Sequence, residues 1–421
     1  MSLSIENPKS ENGVLSFIIS GDEQNGLDVS IVNSIRRILL SEIPTVAFRT
    51  DEGTNLDIKI EVNKTSLHNE FILHRISLIP LFINPQEYDR NLLFHLSVKH
   101  DGQESFKFVT AEDFNIYPLK DDIDEDTDLS ILDINNYDLK KKMSNVEKAN
   151  LLRPFKDPFN NNDNYIMITE LKNTNTPDTF QELSFYGVPS ISVAKEHARW
   201  QAVSNATYTY VKNDELFQQV AKDKCDIKGI TNDEDKEKYI QSLELSESER
   251  YFYKDINGEP FKYEFTIRSE HFHTSKDLFL QANEIMIEKL KMIKDHLILM
   301  IKGGESSILV KQHTNTNGQE AENVYDFIIT DQDDTLGNVL QSHIVKNFIT
   351  DDSLISFCGY KRSHPLEEFI TLTVGVNPQN KAVEGKTDEQ KVTSIVQSLD
   401  NIIEDTIKIY DEIIKIGSRV L

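Results

Sequence analysis

Asp28 to Pro44 reads DVSIVNSIRRILLSEIP. Its apolar residues Ile31, Ile35, Ile38 and Leu39, widened by Val32 and Leu40, recur at i, i+4, i+7 and i+8, the spacing of one face of an α-helix. Asn33, Arg36, Arg37 and Glu42 fall off that stripe. Ser30 or Asp28 can satisfy the free N–H groups at the start, and the Pro44 ring crowds Ile43 out of the helical region. The stretch predicts a short, bounded, amphipathic helix.

The same pattern returns near the other end of the chain. DDTLGNVLQSHIVKNF, Asp333 to Phe348, aligns with it without gaps: Thr335 falls on Ser30, Leu336 on Ile31, Asn338 on Asn33, Leu340 on Ile35, Ile344 on Leu39 and Val345 on Leu40. The apolar register and one asparagine repeat, while Arg36 and Arg37 become Gln341 and Ser342. Amphipathic helices are common enough to align by chance, so the surrounding sequence has to decide whether this is a duplication.

Around the first helix, Leu15 to Ser20 predicts a strand, as do Thr45 to Phe48 and Leu56 to Val62, the last alternating Ile58, Ile60 and Val62 against Lys59 and Glu61. HNEFILHRISLIPLFI, His68 to Ile83, predicts a short helix running into Pro80. Phe71, Ile72, Ile76, Leu78 and Ile79 are its expected apolar set, with His74 and Arg75 on the polar side. Leu92 to Val98 and Ser105 to Val109 predict a hairpin around His100 to Gln103. DDIDEDTD, Asp121 to Asp128, reads as a solvated acidic loop, since the glycine and spacing of a calcium loop are missing. Loosely held chain is expected on through KKKMSNVEKAN and NNNDN at Asn160 to Asn164, before strand character resumes at Tyr165 to Leu171.

SISVAKEHARWQAVSNATYTYV, from Ser190, carries the chain's one tryptophan, Trp200, beside His197 and Arg199, and ends in an alternating strand. The charged interval Asn213 to Asn257 predicts a surface excursion with a weak helical pattern. After the strand Tyr263 to Ile267, a long helix is marked by the capping-box spacing of Thr274 and Asp277 and by one face of Leu278, Ala282, Ile285, Met286, Leu290, Ile293, Leu297 and Met300. Gly303-Gly304 ends it; a glycine pair after a helix is in the wrong order for a phosphate-binding loop. His271 and His273 lack a third metal ligand nearby and read as same-face neighbours in a β segment.

The rest is a smaller copy of the first scheme. Ser307 to Gln312 and Tyr325 to Thr330 are strands, followed by the second short helix, Asp334 to Phe348, then by the segment Ser353 to Tyr360 and the strand Phe369 to Val376. A last long helix carries Val392, Ile395, Val396, Leu399, Ile402, Ile403, Thr406, Tyr410 and Ile413, a narrow stripe that wants a partner helix. Strand, short helix, strands and long helix thus occur twice, with a domain-sized insertion in the first copy only.

With 421 residues and 38% hydrophobic composition the chain can bury ordinary cores, and its length suggests about two to four domains. Its formal net charge of −25 repels phosphate and disfavours a large DNA or RNA footprint of its own. Cys225 and Cys358 are too few for a disulfide framework and lack C-x-x-C spacing, so a reducing compartment is expected and no zinc site can be built from cysteine. MSLSIENPKS lacks the features of a signal peptide, and the longest apolar run, Leu297 to Ile301, is far short of a membrane span. A soluble intracellular protein without membrane contact is expected. No glycine-rich phosphate loop, paired-histidine zinc motif or carboxylate triad is present, so no catalytic residue is assigned.

The duplicated scheme resembles the two α-like subunits of multisubunit DNA-directed RNA polymerases, here on one chain. NSIRRILLSEIPTVAF, HNEFILHRISLIPL, KEHARW and YEFTIRSE are similar to the third-largest subunit of eukaryotic RNA polymerase II and the archaeal D subunit. YDFIITDQDDTLGN, ISFCGYKRSHPLEEFITLTV and the terminal helix are similar to the small eleventh subunit and archaeal L. The resemblance implies an α+β fold of two dimerisation modules, antiparallel strands with a short and a long helix each, forming an intramolecular pseudo-dimer. Residues 1–48 with 206–302 would be the first module, 49–205 a mixed, mainly β inserted domain, and 303–421 the second module.

In this family the short and long helices form a bundle across a pseudo-twofold interface, and two long and two short apolar stripes can bury one another in that way. The interface expected here is Ile31, Ile35, Leu39, Leu336, Leu340, Ile344, Ile285, Leu290, Ile293, Leu399, Ile402 and Ile403. The resemblance makes the chain a non-catalytic assembly platform for the second-largest (β-like) and largest (β′-like) subunits, with small zinc-bearing subunits as further candidates and DNA reached only through the complex. Arg36 and Arg37 are the expected contacts to the β-like subunit; His74, Arg75, His197, Arg199 and Trp200 are secondary candidates for that surface or for a small companion subunit, with a structural role in holding the inserted domain together as the equal alternative. The four-cysteine metal loop of many cellular members is not matched in FHLSVKHDGQESFKFVTAEDF, so no metal or other cofactor is carried over. Fused modules are a feature of some large cytoplasmic DNA viruses, which implies a viral factory or virion location, or the nucleus for a cellular protein. The alternative is a helical adaptor outside transcription.

Overall fold

The structure, a computed structural model, describes residues 3–24, 26–50, 56–119, 141–174, 176, 179–315, 317–350 and 352–421. In chain order the elements are β1 (Ser4–Glu11), β2 (Val14–Ser20), α1 (Val29–Ser41), β3 (Pro44–Ala47), β4 (Ile58–Asn63), α2 (Asn69–Ser77), β5 (Leu92–Lys99), β6 (Phe106–Thr110) and β7 (Asn115–Pro118). Then come α3 (Asn145–Leu152), β8 (Phe155–Lys156), β9 (Asp163–Asn164), β10 (Met167–Lys172), β11 (Glu182–Gly187), β12 (Ser190–Val193), β13 (Val203–Tyr210), α4 (Asp214–Ile227), α5 (Asp233–Glu247), β14 (Lys262–Ser269) and α6 (Ser275–Ile301). The chain closes with β15 (Ile308–Thr314), β16 (Glu320–Thr330), α7 (Asp334–Asn347), β17 (Ile355–Lys361), β18 (Phe369–Val376) and α8 (Asp388–Val420).

Two compact units result, Met1–Leu39 with Asn205–Arg268 and Ser275–Leu421, and Leu40–Ser204 with Ser269–Thr274. The first unit holds two antiparallel sheets of the same construction. One runs β1-β2-β14-β13 and the other β15-β16-β18-β17. In each a hairpin leads to a short helix, two more strands follow, and the last strand, second in from one edge, feeds a long helix. Inward-facing residues pair across the central strands, Phe17 opposite Phe265 in the first sheet and Phe327 opposite Leu372 in the second. All four are at most 2% exposed, so each sheet has one face in the core.

The two copies differ by what interrupts them. Between α7 and β17 lie only residues 348–354, whereas between α1 and β13 the chain builds the second unit. Between β13 and β14 it adds the hairpin α4–α5, which has its own small cluster of Phe217, Ala221 and Leu243. This is the charged interval at Asn213 to Asn257, whose weak apolar pattern supports no larger core.

The second unit is mainly β. Its sheet runs β4-β11-β5-β7, with the two-stranded ribbons β3–β12 and β6–β10 beside it. Ile72, Ile76, Phe94, Phe114 and Phe185 are among its fully buried core residues. Asp57 is held inside by the Arg49 N–H at 2.7 Å, the Ser190 hydroxyl at 2.6 Å and Arg90 at 3.0 Å.

Several sequence expectations are corrected. β5 and β6 do not form a hairpin: β5 pairs with β11 and β7, and β6 with β10, because alternation specifies a strand but not its partner. Part of the segment expected to be loose is the helix α3, fixed by a capping box between Ser144 and Glu147. Phe71 on α2 and Leu78 at its C-cap are 63% and 49% exposed, so only Ile72, Ile76 and Ile79 of that set reach the core. His271 and His273 lie in the loop after β14, not in a strand. The acidic segment Asp121 to Asp128 falls outside the described residues.

Candidate assembly interface

In the first unit α1, α6, α7 and α8 bury their apolar stripes. Ile31, Ile35, Leu39, Leu336, Leu340, Ile344, Leu290, Ile293, Leu399, Ile402 and Ile403 are each at most 2% exposed. Residues of both copies meet at one small cavity, where Ile293 and Leu297 of α6 face Leu340 of α7 and Leu399, Ile402 and Ile403 of α8. Ile285 stays partly exposed at the margin of the α6 stripe, and Met286 and Ile287 occupy the buried positions beside it.

The long helices run antiparallel. Near the start of α6, Lys276 Nζ donates to the Ser418 carbonyl late in α8 at 3.1 Å, while further on Lys294 reaches Glu404 at 2.7 Å and Asp400 at 3.4 Å. At Gly417 of α8 an added Cβ would lie 3.3 to 3.7 Å from Leu280, Phe279 and Ile5. The last turns of α8 therefore lie against α6 and against the first strand of the other copy.

The short helices also cross antiparallel, and here the duplication becomes chemical. The gap-free alignment that puts Arg37 on Ser342 also puts Asp28 on Asp333. Arg37 Nε donates to Thr335 Oγ1 at 2.7 Å, with its guanidinium 3.7 Å from Asp333. Reciprocally, Ser342 Oγ donates to Asp28 Oδ2 at 2.5 Å. Each aspartate also accepts the backbone N–H two residues on, Ser30 at 2.8 Å and Thr335 at 2.9 Å. One residue thus caps its own helix and receives the other, twice over, the i-to-j and j-to-i pattern that a twofold relationship creates. Midway, Ser34 of α1 and Tyr410 of α8 share a buried hydrogen bond of 2.7 Å.

Electrostatics follow from these contacts. Burial pushes the Asp28 carboxyl up, but the Ser342 hydroxyl, the Ser30 N–H and Lys346 outweigh it, and the group sits below its ordinary value. Asp333 behaves alike: burial is overcome by Thr335, Lys289 and Arg37. Both are held as anions at the interface.

Arg37, expected to face a partner, is therefore engaged between the two copies. Arg36 points elsewhere, its Nε and Nη2 both donating to Asn33 Oδ1 at 3.0 and 2.9 Å. It lines an open groove with Tyr208, Tyr210 and Glu249. In the second unit His74 and Arg75 are exposed, Arg75 donating to the Met167 carbonyl at 2.8 Å. Arg199 and Trp200 are not surface contacts. Trp200 is 0% exposed, and Arg199, at 6%, bonds the Phe48 carbonyl at 3.0 Å, Thr50 at 2.9 Å and His197 Nδ1 at 3.0 Å. A guanidinium with several buried acceptors is a cross-link, and His197 serves it as an acceptor.

Sequence reading passed over Asp28 and Asp333 as interface residues. The signal was present: the two aspartates occupy the same place in the aligned repeats. Among the described residues no group of three or more histidine, cysteine or carboxylate side chains could hold a metal ion. Among them, too, no helix is long and apolar enough to cross a membrane.

Two family models described as the RNA polymerase Rpb3/Rpb11 dimerisation domain match this chain, one over residues 23–290 and one over 325–415. The chain is 25% identical over 291 residues, 63% of its length and 84% of the relative's, to subunit 3B of DNA-directed RNA polymerases IV and V of Arabidopsis thaliana. It is 24% identical over 279 residues to DNA-directed RNA polymerase subunit Rpo3 of Methanosphaera stadtmanae, covering 63% of this chain and 89% of that one. To DNA-directed RNA polymerase II subunit rpb3 of Dictyostelium discoideum it is 23% identical over 319 residues, 68% and 92% of the two chains.

Proposed function

The chain belongs to the RNA polymerase Rpb3/Rpb11 dimerisation family, and from that premise we propose that it is the assembly platform on which the catalytic subunits of a DNA-directed RNA polymerase are mounted. It is a non-catalytic polymerase subunit, and its partners are other polymerase subunits. The observation that carries the platform reading is the reciprocal pairing of Arg37 with Thr335 and Ser342 with Asp28, which makes one chain a closed pseudo-dimer. Residues 1–48 with 206–302 and residues 303–421 act as the two modules, 49–205 as the inserted domain. Carrying both on one chain makes their association intramolecular, at an effective concentration of the order of millimolar when the linker spans the sites.

The second-largest subunit docks on the outward face of α1 at Arg36, with the largest subunit completing the complex. His74 and Arg75, exposed on α2, are contacts for it or for a small zinc-bearing subunit. Union of the two modules on one chain supports a large-DNA-virus source and a cytoplasmic or virion location.

Mass spectrometry of what co-purifies with the native protein tests the platform. Second-largest and largest subunits at equal stoichiometry are the expected result. A native preparation holding only partners unrelated to transcription would return the helical adaptor. Arg36→Glu alone is the informative charge reversal, because Arg37→Glu would also break the internal pairing.

A further inference from the structure

The gap-free alignment of the two short helices places His343 of α7 on Ile38 of α1. Ile38 is 0% exposed and can only pack; His343 is 6% exposed, so the second copy buries an ionisable ring where the first has a hydrocarbon. The pairing of Arg37 with Thr335 and of Ser342 with Asp28 makes no use of it.

Geometry fixes which nitrogen carries the proton. Asn347 Nδ2 donates to the His343 carbonyl at 3.2 Å and lies 3.0 Å from His343 Nδ1. A carbonyl only accepts, so the amide NH2 is the group that faces both, and Nδ1 is the bare, accepting nitrogen. The proton therefore sits on Nε2, which is buried without a hydrogen-bond partner among the described residues. That seat suits a neutral imidazole alone. An imidazolium would set an N–H against the Asn347 N–H and leave a second charged donor buried without an acceptor. Burial holds the ring below its ordinary value, against the opposing pull of Asp405 and Asp28.

The ring borders a cleft of about 760 Å³. The charged groups that line it are Asp28 at the start of α1, Asp255 and Glu259 in the turn before β14, Lys346 of α7 itself, and Asp405, Lys408 and Glu412 of α8. Lys346 is tied to Asp28 at 3.2 Å and to Glu259, and Lys408 to Asp405 at 3.0 Å. Five carboxylates thus face two lysines that are already paired. A positive ring meets no acceptor in its seat, but outside it meets an anionic cleft.

We propose that His343 is a pH-sensitive latch on the union of the two copies. Neutral, the ring stays in its seat and the last turn of α7, up to the cap at Phe348, is closed. Protonated, it swings towards the carboxylates of the cleft and that turn opens, drawing Lys346 away from Asp28 and Glu259. The closed form takes the proton less readily than the open one, so falling pH favours opening. The open form remains a minority, and because histidine there titrates at its ordinary 6.5, its share rises about tenfold per pH unit below 6.5 until the closed form is protonated too. The latch acts between the two copies, independently of which subunits the platform carries.

Nitrogen NMR of the histidine rings and amide hydrogen exchange test it on the full chain between about pH 7.5 and 5.5, exchange being read as protection factors that remove its intrinsic pH dependence. His343 should show the Nε2–H tautomer and titrate below 6.5. Protection of the His343 to Phe348 amides should fall severalfold, up to about tenfold, while that of the middle of α6 holds. His343→Gln, which cannot titrate, should abolish the fall. Asn347→Asp, which gives the imidazolium an acceptor, should abolish it as well. An Nδ1–H tautomer, a ring that titrates at or above 6.5, flat protection in the wild type, or a fall that persists in His343→Gln would each overturn the latch. Both wild-type measurements use the unmodified chain and so decide the matter even where a variant does not fold.

Discussion

Arg37 donates to Thr335 across the molecule at 2.7 Å, and Ser342, which falls on Arg37 in the repeat, donates to Asp28, two residues before the one that falls on Thr335. The two ends of the crossing are related but not equal. The Arg37 side chain is 39% exposed, whereas the Asp28 side chain is 12% exposed and also meets Lys346 at 3.2 Å.

Unequal burial sets unequal costs. Arg37→Ala removes a half-solvated contact and should cost about 1 kcal/mol or less. Asp28→Ala strips the cap from α1 and leaves the Ser342 hydroxyl without its acceptor and Lys346 with Glu259 alone, for a loss of about 2 to 3 kcal/mol. Urea midpoints followed by circular dichroism compare them. A larger loss for Arg37→Ala would reverse the order of importance proposed for the two ends.

The same contacts make stability depend on pH. Asp28 titrates lower in the folded chain than its ordinary 3.8, so the unfolded chain binds its proton first as pH falls. The stabilisation is complete above 3.8 and is lost as pH drops through the depressed folded value. Asp28→Asn should therefore lower stability by a constant amount from neutral pH down to about 5, and the deficit should shrink only below the ordinary carboxylate range. A deficit that already closes between pH 7 and 5 would mean that Asp28 is not held as the buried anion described.

Gly337 tests how closely α7 packs on Tyr360 of β17. Alanine inside a helix ordinarily gains about 1 kcal/mol over glycine. Here the new Cβ would sit 2.6 Å from Cδ2 and 2.9 Å from Cγ of Tyr360, atoms near the ring's attachment that cannot swing away cheaply. Gly337→Ala should be destabilising by about 1 to 3 kcal/mol. Thermal melts of Gly337→Ala alone and with Tyr360→Ala check it: the double variant should recover most of the loss that alanine at 337 adds.

How much of this was legible in the sequence depended on distance along the chain. Local periodicity located α1, α6, α7 and α8, and the shared register of Ile31 with Leu336 disclosed the duplication. β1 was missed because ENPKS carries no apolar alternation; as an edge strand it presents mostly polar residues, and its place comes from pairing with β2. Phe71 and Leu78 misled for the opposite reason: they continue an apolar pattern along α2 and its C-cap on a side that the core does not cover. Arg37 could be read only as charged and off the stripe. That its guanidinium meets Thr335 is a tertiary fact, although the coincidence of Asp28 with Asp333 in the aligned repeats foreshadowed it.

Arg199 separates a structural role from a docking one. Its guanidinium holds the Phe48 carbonyl, Thr50 and His197 together in the second unit, and Trp200, the single tryptophan of the chain, is fully buried beside it with the ring centroid 5.2 Å from the guanidinium carbon. Trp200 emission is consequently a reporter of that unit alone, blue-shifted when folded and red-shifted on exposure. Removing a buried charged donor from several acceptors should cost about 2 to 3 kcal/mol, so Arg199→Ala should lower the urea midpoint read from Trp200 emission. Arg199→Lys, which keeps the charge but not the fork, should fall between. Affinity of the folded variants for the second-largest subunit should stay at the wild-type value, while Arg36→Glu shows the converse pattern. Weakened affinity for Arg199→Ala with an unmoved midpoint would make Arg199 a partner contact after all.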